Sequence, residues 1–109
     1  MTAFVHQPAL RTCWYPVAES ADIAGQALAI TLLGDDYVIW RGSDSELVAA
    51  PDRCPHREAP LSIGEVKDGI LTCAYHGWGF SDQGTCVSIP SSGPDAAVPP
   101  TAHLGCVTV

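Results

Sequence analysis

Two short pairs of metal-capable side chains constrain this chain more than any other feature: Cys54-Pro55-His56 and Cys73-Ala74-Tyr75-His76, separated by residues 57–72. A lone cysteine ordinarily behaves as a small buried hydrophobe, and a lone histidine as a satisfied surface or core residue. Four such groups in two tight pairs, each in a turn context beside an expected strand, are not an accident of composition. Pro55, Pro60 and Gly77 supply sharp bends that let side chains two or three residues apart aim at one centre.

The periodicity around the pairs is that of strands. Residues 26–34 are β-rich, and 36–42 follow after Gly34-Asp35, which reads as a hairpin turn. Residues 46–51 and 69–73 are two further strands. Residues 78–89 form a hairpin turning at Ser81-Asp82-Gln83-Gly84. No window sustains a helical period beyond a turn or two, Ser20–Ala27 being the best short exception. Residues 90–100 are a Pro-rich, linker-like crossing, after which 103–109 begin a new alternating strand. The pattern predicts one all-β domain over 1–109, an antiparallel sandwich or small barrel. The stop inside an expected strand suggests a piece of a longer polypeptide. No internal repeat is visible.

Twelve acidic residues against five basic give a formal charge of −7. No basic stripe exists to neutralise phosphates, so nucleic acid is excluded as a partner. The excess acid serves solubility, or docking to a basic redox partner. No apolar run approaches the roughly 18–20 residues that span a bilayer, and residues 1–13 lack the pattern of a secretory signal. The expected location is the cytoplasm, with no membrane partner. The five cysteines cannot all pair internally, and in a reducing compartment cysteines near histidines point to metal or catalysis before disulfides.

Two metal centres use two Cys and two His. Tetrahedral zinc is one, but its finger spacing groups cysteine with cysteine and histidine with histidine. A Rieske 2Fe–2S cluster is the other, with thiolates on one iron and imidazoles on the second. Mixed pairs suit the cluster, because each loop must reach both irons and so must supply one sulfur and one nitrogen. Residues 54–66 and 73–80, with 14–18, 38–42 and 84–91, resemble the N-terminal Rieske domain of ring-hydroxylating and demethylating oxygenase large subunits. The resemblance covers essentially the whole chain. It implies stacked antiparallel sheets with an inserted two-loop cluster-binding subdomain, about residues 52–82. It also implies that Cys54 and Cys73 bind one iron while His56 and His76 bind the other.

Departures from the high-potential branch of that family carry information. Ala59 and Tyr75 stand where those proteins have a bridged cysteine pair, and Trp78 and Phe80 stand where they aim a Ser and a Tyr hydroxyl at cluster sulfur. Fewer donors to sulfur leave the reduced cluster less stabilised. The expected potential is near the low end of the Rieske range, about −150 mV. The ligating histidines should be neutral imidazoles donating outward through the second ring nitrogen. The resemblance makes His76 the outgoing electron contact and matches Arg57 to the arginine typical of oxygenases in this loop. Trp78 is read chiefly as a packing lid and Tyr75 chiefly as structural cover, with direct contact to a partner as the alternative for each. Cys13, Cys86 and Cys106 are expected to be buried thiols, and His6 and His103 receive no role.

An oxygen-activating mononuclear iron typically needs two histidines and a carboxylate. His6 and His103 lie far apart with no suitably spaced carboxylate, so the chain alone is expected to move one electron and do no oxygen chemistry. Two readings compete: the electron-transfer module of a Rieske non-haem iron oxygenase acting on aromatic or related organic substrates, or a free-standing Rieske ferredoxin. Either would take electrons from a flavin- or ferredoxin-type reductase. An oxygenase catalytic domain, in cis or in a neighbouring subunit, would receive them.

Overall fold

The computed structural model describes residues 13–55, 58–89, 102–107 and 109. Two antiparallel sheets carry the fold. The first orders β1 (Leu28–Leu32), β2 (Asp35–Arg41) and β3 (Leu47–Pro51) side by side. The second orders β4 (Glu65–Lys67), β5 (Ile70–Thr72), β6 (Gly79–Phe80) and β7 (Cys86–Ser88). Every strand pairs with its neighbour in sequence, so both sheets are meanders. A single 3-10 turn at Ser20–Asp22 occupies the stretch expected to be the short helical exception.

The hairpin between β1 and β2 turns one residue earlier than the sequence suggests. Leu32 pairs with Asp35, which leaves Leu33-Gly34 as the loop, with φ of 52° and 84°. Positive φ at both central positions is the type I′ geometry that matches the twist of the flanking strands. The same device at Asp68-Gly69, with φ of 53° and 79°, joins β4 to β5. The strand before that turn, β4, is absent from the sequence reading, although Asp-Gly is a strong hairpin signal. At the other end, residues 103–109 form no strand among the described residues. Isolated bridges Thr85–His103 and Ala49–Val107 hold that segment across both sheets instead. The crossing at 90–100 lies outside the described residues.

Alternation divides the first sheet into two faces, and both are apolar. Val38, Trp40, Val48 and Ala50 face the second sheet and join Leu61, Leu71, Phe80, Ala102 and Leu104 in one core. Ile39 and Ala49 face the other way and pack with Ile23. This is why Val38, Ile39 and Trp40 are all buried, a continuous run where a half-solvated strand would alternate. Arg41 holds the covering segment down. Its guanidinium donates to the carbonyls of Ile23 and Ser20 and to the Ser20 hydroxyl, each at 2.6 Å, and to the Ser45 carbonyl at 2.8 Å.

A direct side-chain contact ties the two sheets together. The Trp40 indole Nε1–H donates to the Gly69 carbonyl at 3.1 Å, and a Cβ at Gly69 would run into the backbone nitrogen of Ser43. Gly69 therefore has to be glycine twice over, for its φ and for the approach of the β2–β3 loop. Gly69→Ala is expected to lower the free energy of unfolding by about 2–4 kcal/mol, read as a fall in the urea midpoint. A change under about 0.5 kcal/mol would mean the approach is loose in solution.

Candidate metal centre

Both loops that carry the Cys–His pairs are built on one backbone plan. In the first, the Cys54 N–H donates to the Ala59 carbonyl at 2.8 Å and the Glu58 N–H donates back to the Cys54 carbonyl at 2.7 Å. In the second, the Cys73 N–H donates to the Trp78 carbonyl at 2.8 Å and the Gly77 N–H to the Cys73 carbonyl at 2.9 Å. Offsets of four and five residues recur in both. So does a left-handed residue at the fourth position after the cysteine, Glu58 at φ 58° and Gly77 at φ 75°. Each cysteine thus opens a six-residue loop and each histidine lies within it, at the second position after Cys54 and the third after Cys73.

The plan separates the two kinds of donor by environment. Cys54 and Cys73 are 1% and 2% exposed and belong to the same core as Trp40 and Phe80. Neither forms a disulfide. Ala74, Tyr75 and His76 lie on the exposed rim of the second loop. Two thiols set in an apolar wall and an imidazole at the rim are the donor chemistry that an asymmetric thiolate/imidazole iron–sulfur cluster demands. Among the described residues, no three His, Cys, Asp or Glu side chains converge. His56 and Arg57 lie outside the described residues.

The two loops are also tied at their bases. Gly64, just past the 3-10 turn Leu61–Ile63, packs so closely on β5 that a Cβ there would strike the carbonyl of Thr72, the residue before Cys73. The Asp52 carboxylate, two residues before Cys54, accepts the Ser62 N–H at 2.7 Å and the Ser62 hydroxyl at 2.6 Å. Sequence reasoning missed Asp52 and Ser62, because a clasp across the loop is invisible until the loop closes. His103 receives no role from the sequence. That exposed side chain lines a cleft of about 380 Å³ with Arg53, Cys54, Pro55 and Glu58, against the outside of the first loop.

Four other expectations meet the structure here. Trp78 is half-buried and packs against the core. Phe80 is fully buried and carries no hydroxyl. Tyr75 is 60% exposed, and its ring faces that of His76, centroids 3.8 Å apart and planes tilted by 43°. The loop turns outward at residues 74–76, which leaves Tyr75 no core to join. Of the three remaining cysteines only Cys86 is buried, while Cys13 and Cys106 are exposed. Cys106 falls in a stretch without a ladder, where no alternation carries it inward. Burial pushes the Cys86 thiol up from its ordinary value, and its S–H reaches the Ser88 carbonyl at 3.6 Å. It therefore stays a neutral thiol near pH 7.

Comparison with known proteins agrees with this geometry. The family model of the Rieske [2Fe-2S] domain matches residues 13–104. Pheophorbide a oxygenase, chloroplastic, from Oryza sativa subsp. japonica is 46% identical over 88 residues, 78% of this chain and 17% of that protein. Methylxanthine N3-demethylase NdmB from Pseudomonas putida is 42% identical over 106 residues, 87% of this chain and 29% of that protein. The solved structure of Pseudomonas putida CBB5 NdmB superposes with a TM-score of 0.84 at 35% identity, over 92% of this chain and 32% of that one. Dicamba monooxygenase with non-heme iron and dicamba gives 0.80 at 34% identity, over 89% and 29%. The chain spans less than a third of the length of each of these relatives.

The shared loop plan makes opposite demands at its two left-handed positions. Glu58→Gly removes a strained φ at the cost of a more flexible unfolded chain, and is expected to stabilise by up to about 1 kcal/mol. Gly77→Ala forces a Cβ into the same conformation and is expected to cost about 1–2 kcal/mol. Thermal unfolding of the two variants checks this. Changes of the same sign would show that the loops are not equivalent.

Proposed function

The chain belongs to the Rieske [2Fe-2S] domain family, and from that membership we propose that it relays single electrons as the electron-transfer module of a non-haem iron oxygenase. The observation that carries the proposal is the repeated loop plan, each copy opening on a buried cysteine. Cys54 and Cys73 would hold one iron and His56 and His76 the other, within a cluster-binding part at about residues 52–82 of a single domain. When bound, the cluster supplies one-electron chemistry at a fixed potential.

The chain's own residues do the rest. The apolar wall of Trp40, Leu71 and Phe80 keeps water from the sulfur side. Trp78 and Phe80 offer no hydroxyl to sulfur, so the more negative reduced state gains little stabilisation. At the rim, His76 would bind as a neutral imidazole and point its second N–H outward. Tyr75, whose ring is tilted by 43° against that of His76, would limit its rotation. Arg57 would border the same loop. His76 is then the point at which an electron leaves.

The relatives matched here are oxygenases and a demethylase by name, and the chain corresponds to a minor part of each. The partners we propose are a flavin- or ferredoxin-type reductase as donor and an oxygenase catalytic domain, in cis or in a neighbouring subunit, as acceptor. An aromatic or related organic compound would be that domain's substrate. The proposal keeps the cytoplasm as the location. No helix among the described residues is long and apolar enough to cross a membrane, and some plant relatives are chloroplastic by name.

Visible absorption and low-temperature EPR of anaerobically purified, dithionite-reduced protein test the reading. A red-brown protein with a rhombic Rieske-type signal and a midpoint near about −150 mV is expected. A colourless protein with stoichiometric zinc would overturn the cluster, and a clearly positive midpoint the low-potential reading. Rapid turnover with a reductase as a soluble monomer would favour a free-standing ferredoxin over a module.

A further inference from the structure

The two ligand loops share an internal plan but not an outer frame. The second is closed from outside by the strand ladder, in which Thr72 pairs with Gly79 immediately beyond Cys73 and Trp78. The corresponding pair around the first loop is Arg53 and Pro60, and Pro60 has no N–H to donate. β3 has already ended at Pro51, and the chain returns into a 3-10 turn instead of a strand. Nothing in the backbone ladder therefore closes the first loop from outside.

One step further out, Asp52 and Ser62 do close it. The Asp52 N–H is anchored on β2, donating to the Asp36 carbonyl at 3.0 Å. Its carboxylate takes both the N–H and the hydroxyl of Ser62, at 2.7 and 2.6 Å, and both residues are half-buried. Ser62 is the second residue of the turn Leu61–Ile63, whose preceding residue, Pro60, makes no side-chain cap. Asp52 thus caps that turn from ten residues upstream, using charge-assisted bonds that are about twice as strong as neutral ones. Leu61, beside Ser62, is fully buried in the core.

We propose that Asp52 is a positioning residue: its clasp on Ser62 replaces the missing ladder and holds Cys54 and the base of the first ligand loop at a fixed distance from the second. The proposal rests on the reading that these loops hold the cluster. Its consequence is local. Loss of the clasp frees the loop to open and release metal while both sheets stay folded.

The test uses the cluster-loaded protein with Asp52→Ala, Asp52→Asn, Ser62→Ala and the double variant Asp52→Ala/Ser62→Ala. Thr31→Ala serves as control, since it removes a comparable 2.6 Å bond, from the Thr31 hydroxyl to the Asp36 carboxylate, on the exposed face of the first sheet. Release of iron from reduced protein to a ferrous chelator is the first readout. Asp52→Ala is expected to release about tenfold to hundredfold faster than wild type, and Ser62→Ala about threefold to tenfold faster. Asp52→Asn can still accept the Ser62 N–H and is expected to stay within about threefold. The double variant should match Asp52→Ala, because one bond network is broken in both. EPR of the reduced protein should show shifted or broadened g values in Asp52→Ala but not in Thr31→Ala.

Release rates and spectra of Asp52→Ala and Ser62→Ala equal to those of Thr31→Ala would overturn the clasp. Should Asp52→Ala fail to load, Ser62→Ala decides alone, and wild-type behaviour there would overturn the proposal. A wild-type protein with no rhombic signal would sink the cluster reading separately. Hydrogen exchange at the Cys54, Glu58 and Ser62 amides would then read the clasp. Faster exchange in Asp52→Ala supports it, and unchanged exchange overturns it.

Discussion

The architecture depends on a backbone frame used twice, in which a cysteine N–H and carbonyl each bond across a six-residue loop. In both copies the cysteine side chain is buried, and in the second copy the residues that follow it, Ala74 to His76, are exposed. The frame needs a left-handed residue to complete its return, and it uses Gly77 in one copy and Glu58 in the other. The result is a division of donors by solvent, thiols in the wall and imidazole at the rim. An asymmetric cluster requires that division, since the buried side has to be shielded and the outer side has to meet a partner.

Because the two thiols sit in the wall, the candidate site is continuous with the core that joins the sheets. Cys54 and Cys73 pack in the same cluster as Trp40 of β2, Leu71 of β5 and Phe80 of β6. The first sheet supplies one loop from the end of β3, and the second supplies the other between β5 and β6. Three contacts keep the two supports in register: Trp40 to the Gly69 carbonyl, Gly64 against Thr72, and Asp52 on Ser62. The second sheet is made of very short strands, so side-chain and close-approach contacts do work that longer ladders would otherwise do.

Much of this was legible beforehand for physical reasons. Short β-rich runs between Gly and Pro turns announce antiparallel sheets, and mixed Cys–His pairs announce a centre that two loops must share. The β4–β5 hairpin was missed because Glu65–Lys67 is too short to show alternation, even though the Asp68-Gly69 turn that defines it was in view. The β1–β2 turn was misplaced by one residue because a leucine, Leu33, takes a left-handed conformation that its chemistry does not favour. Residues 103–107 alternate like a strand yet lack a continuous partner, and strand identity belongs to pairing as much as to pattern.

By itself the sequence determined the all-β class, the two mixed Cys–His pairs and the lack of a hydroxyl at positions 78 and 80, because each follows from residue identity and local spacing. Tertiary structure alone decided which cysteines are buried, that Tyr75 lies on His76 at the surface, and that Asp52 reaches Ser62. Those outcomes depend on where separate strands and loops meet in space. A contact between residues ten apart, or between two sheets, has no local signature to read.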